Sequence, residues 1–151
     1  MSVGVLLGRF QPFHQGHLEV VKDALKENSE VLILIGSSQK AEHFSAAERR
    51  KMIGEKIKSL KNVRILEVED PINKDEWPEL INKIVNLPKV EKVLYRADND
   101  KITEHMKKLE RFGFKLKIIQ RKRFIYTTKT GKKYEVGSAT EIRDLEKFSF
   151  Q

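Results

Sequence analysis

The sequence of 151 residues contains no cysteine. Disulfides, iron–sulfur clusters, cysteine-ligated zinc and thiol nucleophiles are excluded together. No apolar run approaches the ~18–20 residues that a membrane-spanning helix requires. The first ten residues, MSVGVLLGRF, lack the cationic region that opens a secretory signal. Internal repeats, low-complexity tracts and linkers are also missing. Together these absences lead to the expectation of one cytoplasmic domain over residues 1–151, without a membrane partner.

What is present is charge and pattern. Charged residues make up 34% of the chain, with 30 Lys+Arg against 22 Asp+Glu and a net charge of +8. Residues 101–136 alone hold twelve Lys/Arg and three Asp/Glu, so the remainder is close to neutral. The excess belongs to one stretch, not to the whole surface. The 39% hydrophobic share is too large and too regularly placed for a disordered chain.

Strand and helix periodicities alternate along the chain. Val3-Gly4-Val5-Leu6-Leu7 and Val31-Leu32-Ile33-Leu34-Ile35 are short apolar runs closed by Gly8 and Gly36, as in buried parallel strands. Residues 63–68, 90–95 and 114–119 read as three further strands. Helical spacing appears in Leu18, Val21, Ala24 and Leu25, in Met52, Ile53, Ile57 and Leu60, in Leu80, Ile81, Ile84 and Val85, and in Ile102, Met106 and Leu109. Gly113 fits the stop of the last of these. Residues 124–128 and 134–136 form a hairpin pattern, and capping boxes open helices at Ser45-Ala46-Ala47-Glu48 and Ser138-Ala139-Thr140-Glu141. The expected fold class is α/β: a single Rossmann-like domain with a mostly parallel five-stranded sheet and helices on both faces. Ligands in such sheets bind beyond the carboxyl ends of the strands.

The first strand leads into Gly8-Arg9-Phe10-Gln11-Pro12-Phe13-His14-Gln15-Gly16-His17. Gly8 permits a tight turn, Gly16 leaves room at the helix start, and Arg9 offers a donor fork suited to phosphate. Two histidines three residues apart at a helix N-terminus, where backbone N–H groups favour anions, can face one ligand. His43 and His105 have no such setting. Near the other end, Ser138, Thr140 and Arg143 stand at a second helix start, as a cap or as a second anion site. Two helix N-termini, two histidines and several arginines suit a polyphosphate. With no acidic cluster beside the histidines, no protein-held metal is expected.

His14-Gln15-Gly16-His17 together with Ser138-Ala139-Thr140-Glu141-Ile142-Arg143 resembles the HIGH-type nucleotidyltransferase superfamily. The longer string from Gly8 to His17 resembles the signature of archaeal-type nicotinamide mononucleotide (NMN) adenylyltransferases. Gly36-Ser37-Ser38-Gln39 follows the second strand as in that family, and Arg49 stands where the family has a phosphate-binding arginine. Asp70 and Trp77 fall where the family contacts the nicotinamide nucleotide. After the fourth strand the family has a small, asparagine-containing turn followed by proline; here Arg96-Ala97-Asp98-Asn99-Asp100 keeps Asn99 and adds charge. The segment 40–44 is shorter than the family's loop, and eight residues follow Arg143 where the family continues with further helix.

The resemblance implies AMP transfer from ATP to a small phosphorylated acceptor, NMN first, giving NAD and pyrophosphate. An ionised phosphate is already a nucleophile, so alignment and charge stabilisation suffice. His14, His17 and Arg143 are the expected catalytic residues. Gly8, Arg9, Phe10, Gly16, Arg49, Ser138 and Thr140 are expected on the ATP phosphates, and Ser37, Gln39, Asp70, Trp77 and Asn99 around the acceptor. Mg2+ is expected to arrive with ATP, with no tightly bound prosthetic group. Trp77 suits a cationic ring or the core, and Asp70 suits the acceptor or a helix cap. Phosphopantetheine and riboflavin phosphate are alternative acceptors, although relatives using them carry Thr-Phe-Asp in place of Arg9-Phe10-Gln11. A non-enzymatic nucleotide- or nucleic-acid-binding protein, gripping through residues 101–136 with Phe124, Tyr126 and Tyr134, is the lesser reading. Assembly into a homo-oligomer is left open.

Overall fold

The apolar runs around Val5 and Ile33 form the middle of a parallel sheet. The computed structural model describes residues 1–37, 43–97, 107–120 and 122–149. Expectations for Gln39, Asn99, Ile102, His105, Met106 and the segment 40–42 lie outside the described residues. In chain order the elements are β1 (Ser2–Gly8), α1 (Gln15–Glu27), β2 (Glu30–Ser37), α2 (Ala46–Ile57), β3 (Val63–Glu69), α3 (Trp77–Ile84), β4 (Glu91–Ala97), β5 (Phe114–Ile119), β6 (Phe124–Thr127), β7 (Lys133–Val136) and α4 (Ala139–Ser149). Single 3-10 turns cover Lys74–Glu76 and Lys108–Phe112.

The five-stranded sheet has the order β3-β2-β1-β4-β5, all parallel, while β6 and β7 form a separate antiparallel hairpin. The chain fills one side of β1 before crossing to the other. The crevice where β2 and β4 part above β1 is therefore the switch point. Period-2 alternation divides the core. Val3, Val5, Leu32, Leu34 and Leu94 point to one layer with Trp77, Ile81, Val85 and Leu109. Leu6, Val31, Ile33, Ile35 and Tyr95 point to the other with Val21, Ala24, Ile53 and Ile57. Helices thus cover both faces, as expected. The capping box of Ser45 and Glu48 forms in both directions, and Gly113 closes its 3-10 turn at φ 88.

One expectation about glycine changes. Gly8 does not make the turn after β1; it is still strand, and Phe10 takes the left-handed conformation at φ 52. Gly8 is needed because a Cβ there would lie 2.9 Å from the Phe10 ring. Gly4 has a similar cause on the same face. A Cβ would lie 3.0 Å from Tyr95 Cε2 and 3.1 Å from Asn28 Nδ2. There Asn28 donates to the Tyr95 hydroxyl at 2.6 Å, and Tyr95 donates to Glu27 at 2.9 Å. Burial, then this bond to Glu27, pushes the Tyr95 phenol up to about 12. Gly4→Ala forces a contact into this packed layer, and a loss of about 1–2 kcal/mol is expected from the denaturant midpoint.

Candidate active site

The loop from β1 to α1 is held from within by its own histidines. His14 is the N-cap of α1, extended at φ −131 and ψ −179, and its Nδ1 accepts from the amides of Gly16 at 3.0 Å and His17 at 3.4 Å. His17 Nδ1 accepts in return from the His14 amide at 3.1 Å. This is a capping box built from two imidazoles in place of Ser and Glu. An imidazole that accepts at Nδ1 carries its proton, when neutral, on Nε2. The cap therefore fixes the tautomer of both rings and makes each Nε2–H a donor.

Ring packing fixes their orientation. The two imidazoles stack with centroids 3.7 Å apart. Phe13 stacks on His17 at 5.3 Å, Phe10 meets His17 edge-on at 4.9 Å, and Phe124 of β6 stacks on His14 at 4.9 Å. Gly16 is glycine because His14 lies over it: a Cβ would be 2.9 Å from His14 Cε1. The room expected at this helix start is filled by the imidazole.

The other expected residues gather around the same loop through hydrogen bonds. Arg9 pairs with Asp70 through both guanidinium arms, at 2.5 and 3.3 Å, which ties the end of β1 to the end of β3. The Asp70 amide donates to the Ser37 carbonyl at 2.8 Å. Arg49 is fully buried. Its Nη1 donates to the carbonyls of Arg9 at 2.9 Å and Gly36 at 2.8 Å, and its Nε to Ser45 at 3.3 Å. Arg143 donates from Nη1 to the Gln11 carbonyl and from Nη2 to the Thr140 hydroxyl at 3.2 Å. Ser138 Oγ caps α4 by accepting from Glu141, whose carboxylate accepts from the Gly137 amide at 3.0 Å. Trp77 is 9% exposed and belongs to the core; a Cβ on Gly36 would meet Asp70 Oδ1 at 3.4 Å and Trp77 Cη2 at 3.7 Å.

Sequence reasoning missed three contributors. Gln11 is buried, and its Oε1 accepts from the amides of His43 at 2.6 Å and Phe44 at 3.4 Å. Phe13 and Phe124 hold the imidazoles, as above. Gln11 and Phe13 sat inside the quoted motif, whereas Phe124 stood out only as an aromatic among basic residues. The Tyr126 hydroxyl donates to Glu146 at 2.8 Å, latching the hairpin to α4.

A cleft of about 970 Å³ runs along β3 and α3, lined by Asp70, Glu69, Glu76 and Leu80 among others; it meets this network only at Asp70. Another, of about 700 Å³, lies between α1, α2 and the hairpin and includes His14, Phe124 and Ile142. Among the described residues no group of three or more His, Asp or Glu is gathered as metal ligands, and no helix is long and apolar enough to cross a membrane.

The profile of the cytidylyltransferase-like family matches residues 5–145, from within β1 into α4. The chain belongs to the cytidylyltransferase-like family. Within that family it is similar to the nicotinamide-nucleotide adenylyltransferase of Saccharolobus solfataricus, 38% identical over 104 residues that cover 64% of this chain and 59% of that one. It is also similar to the enzyme of the same name from Thermoplasma acidophilum, 41% identical over 78 residues covering 48% and 44% of the two chains. The chain spans about half the length of the curated relatives it matches. Among solved structures, a bifunctional NMN adenylyltransferase/ADP ribose pyrophosphatase from Francisella tularensis superposes with a TM-score of 0.71. It is 23% identical, and the match covers 95% of this chain and 41% of that one. It shares the fold of this cytidylyltransferase-like chain.

Two measurements probe the site's construction. Replacing Arg49 by Met leaves the carbonyls of Arg9, Gly36 and Ser45 without this donor, so the urea midpoint should fall by an amount equivalent to about 3 kcal/mol. A side chain used only to grip phosphate would leave that midpoint in place. Burial and then Glu146 push the Tyr126 phenol up to about 12. Its raised value means that the bond stabilises the fold fully below the ordinary ~10 and is lost as pH rises through about 12. A spectrophotometric titration should show late-titrating tyrosine, and Glu146→Gln should move one midpoint down.

Proposed function

We propose that the chain transfers AMP from ATP to nicotinamide mononucleotide, forming NAD and pyrophosphate. The observation that carries this reading is the reciprocal histidine cap. It presents two oriented Nε2–H donors at the N-terminus of α1, while Arg143 joins that loop to the start of α4. The similarity to curated nicotinamide-nucleotide adenylyltransferases supports the choice of acceptor.

In this reading a phosphate oxygen of the mononucleotide attacks the α-phosphorus of ATP. The new P–O bond forms as the bond from that phosphorus to the α,β-bridging oxygen breaks, and pyrophosphate leaves. No proton has to be abstracted, because the attacking phosphate is already ionised. His14 and His17 donate to oxygens of the transferring and leaving groups, where negative charge accumulates. Arg143 adds positive charge from the second helix start, and Ser138 and Thr140 shape that start. Arg9 and Arg49 hold the surrounding backbone in place, Arg49 from within the core. Mg2+ enters as part of the substrate, carried on the triphosphate, which suits a site where the Asp70 carboxylate is engaged by Arg9. Ser37, Asp70 and Trp77 lie on the side proposed for the acceptor.

The test is incubation of the purified protein with ATP, Mg2+ and NMN, with pyrophosphate and dinucleotide as readouts. Turnover with another phosphorylated acceptor and none with NMN overturns the acceptor and keeps the chemistry. Variants separate donation from capping. Asn at position 14 and Gln at position 17 keep an acceptor for the helix amides. His14→Asn and His17→Gln should therefore melt close to wild type while kcat falls roughly a hundred- to a thousandfold. An unchanged kcat in both would remove the histidines from the chemistry.

A further inference from the structure

Arg96 stands one residue before the end of β4, with its Cα in register with Ile118 of β5. Tyr95 is in register with Leu6, so Arg96 lies level with the last residues of β1, at the switch point of the sheet. Its Nε is buried and has no hydrogen-bond partner. Among the described residues no ion pair joins it to a carboxylate. A guanidinium drawn partly out of water without an anion is costly. Lysine or arginine stems commonly lie along apolar surface, but then the polar head reaches solvent. Arg96 is half-buried as a whole, and Nε is the nitrogen of its head that lies out of solvent without a partner.

Strand alternation puts Arg96 on the same side of the sheet as Leu94, in the layer that contains Trp77. The histidines pack with Phe10 and Phe13, which belong to the opposite layer. The phosphates of the proposed reaction are thus served from one side, and Arg96 approaches from the other. The arginine fork matches a planar carboxylate through two parallel hydrogen bonds. We propose that Arg96 reads a carboxylate on the acceptor's ring, so that the chain favours the nicotinate form of the mononucleotide over the nicotinamide form. This rests on the adenylyl-transfer reading: the nicotinamide form remains an acceptor, and the nicotinate form is the better one.

The experiment measures binding of nicotinate mononucleotide and nicotinamide mononucleotide by calorimetry without ATP, together with kcat/KM for each. Wild type should bind the nicotinate form more tightly. Arg96→Gln should weaken that form about tenfold or more, with the nicotinamide form changed less than about threefold. Arg96→Lys keeps the charge and loses the fork, so it should fall between them; it decides the matter if the Gln variant does not fold. Equal loss for both forms, or none for either, overturns the inference, as does a wild type without preference. Selective binding without any turnover leaves the inference standing and sinks the adenylyl-transfer reading.

Discussion

The buried guanidinium of Arg49 is the constraint on which the upper edge of the sheet depends. It comes from α2, yet it satisfies the carbonyls of Arg9 and Gly36, just beyond β1 and near the end of β2. Arg9 lies beyond the last paired residue of β1 and Gly36 next to the last of β2, and a buried carbonyl without a donor destabilises. With the Arg9 backbone fixed, its side chain reaches Asp70 beyond β3, and Gln11 can hold the segment at His43 and Phe44. The Gln11 carbonyl then receives Arg143 from α4. One chain of hydrogen bonds thus links the ends of three strands to the last helix. The histidines are set within it.

The same economy appears in the loop itself. In most helices the N-cap and N3 side chains only satisfy amides. Here those positions are imidazoles, so capping consumes one nitrogen of each ring and defines the other as the donor. A preorganised donor need not reorient as charge develops, which is where electrostatic catalysis gains most. Phe10 supports this arrangement from a left-handed backbone position that a non-glycine residue rarely occupies. Its ring fills the space that a side chain on Gly8 would take. An uncommon backbone conformation held by packing beside the candidate site agrees with where such features concentrate.

Much of this was legible in the chain. Period-2 and period-3.6 patterns located the five strands, the hairpin and the layers, because apolar runs such as residues 31–35 have few alternatives once both faces are covered. The motifs grouped His14, Gly16, His17 and Arg143, and the fold brings Arg143 to the Gln11 carbonyl of the histidine loop. What the pattern could not reveal was direction of use. Spacing does not say that Arg49 turns inward to carbonyls, that Arg9 is shared with Asp70, or that Trp77 packs in the core. Those outcomes depend on geometry between distant segments: Arg9 and Asp70 are 61 residues apart, and Arg49 and Arg9 are 40. Phe124 shows the same limit: among basic residues it looked like a nucleic-acid contact, and the fold spends it on His14.

The charge excess of residues 101–136 shows why a count of basic residues is a poor guide to potential. Lys115 and Lys117 pair with Glu91 and Glu27, toward the end of the sheet away from the histidines, and these partners hold both carboxyls below the usual range. Arg123 lies against Glu135 and Glu141. A cation beside a carboxylate contributes little field at a distance, since the two opposite charges largely cancel beyond their own separation. Arg9 is discounted in the same way by Asp70. Arg143 is not: it donates to a carbonyl and a hydroxyl, which accept the hydrogen bonds without removing the charge. The field above the strand ends is therefore governed by which arginines meet carbonyls and which meet acids. On that basis a single arginine at the start of α4 outweighs the two β5 lysines of the basic stretch in drawing a polyphosphate toward His14 and His17.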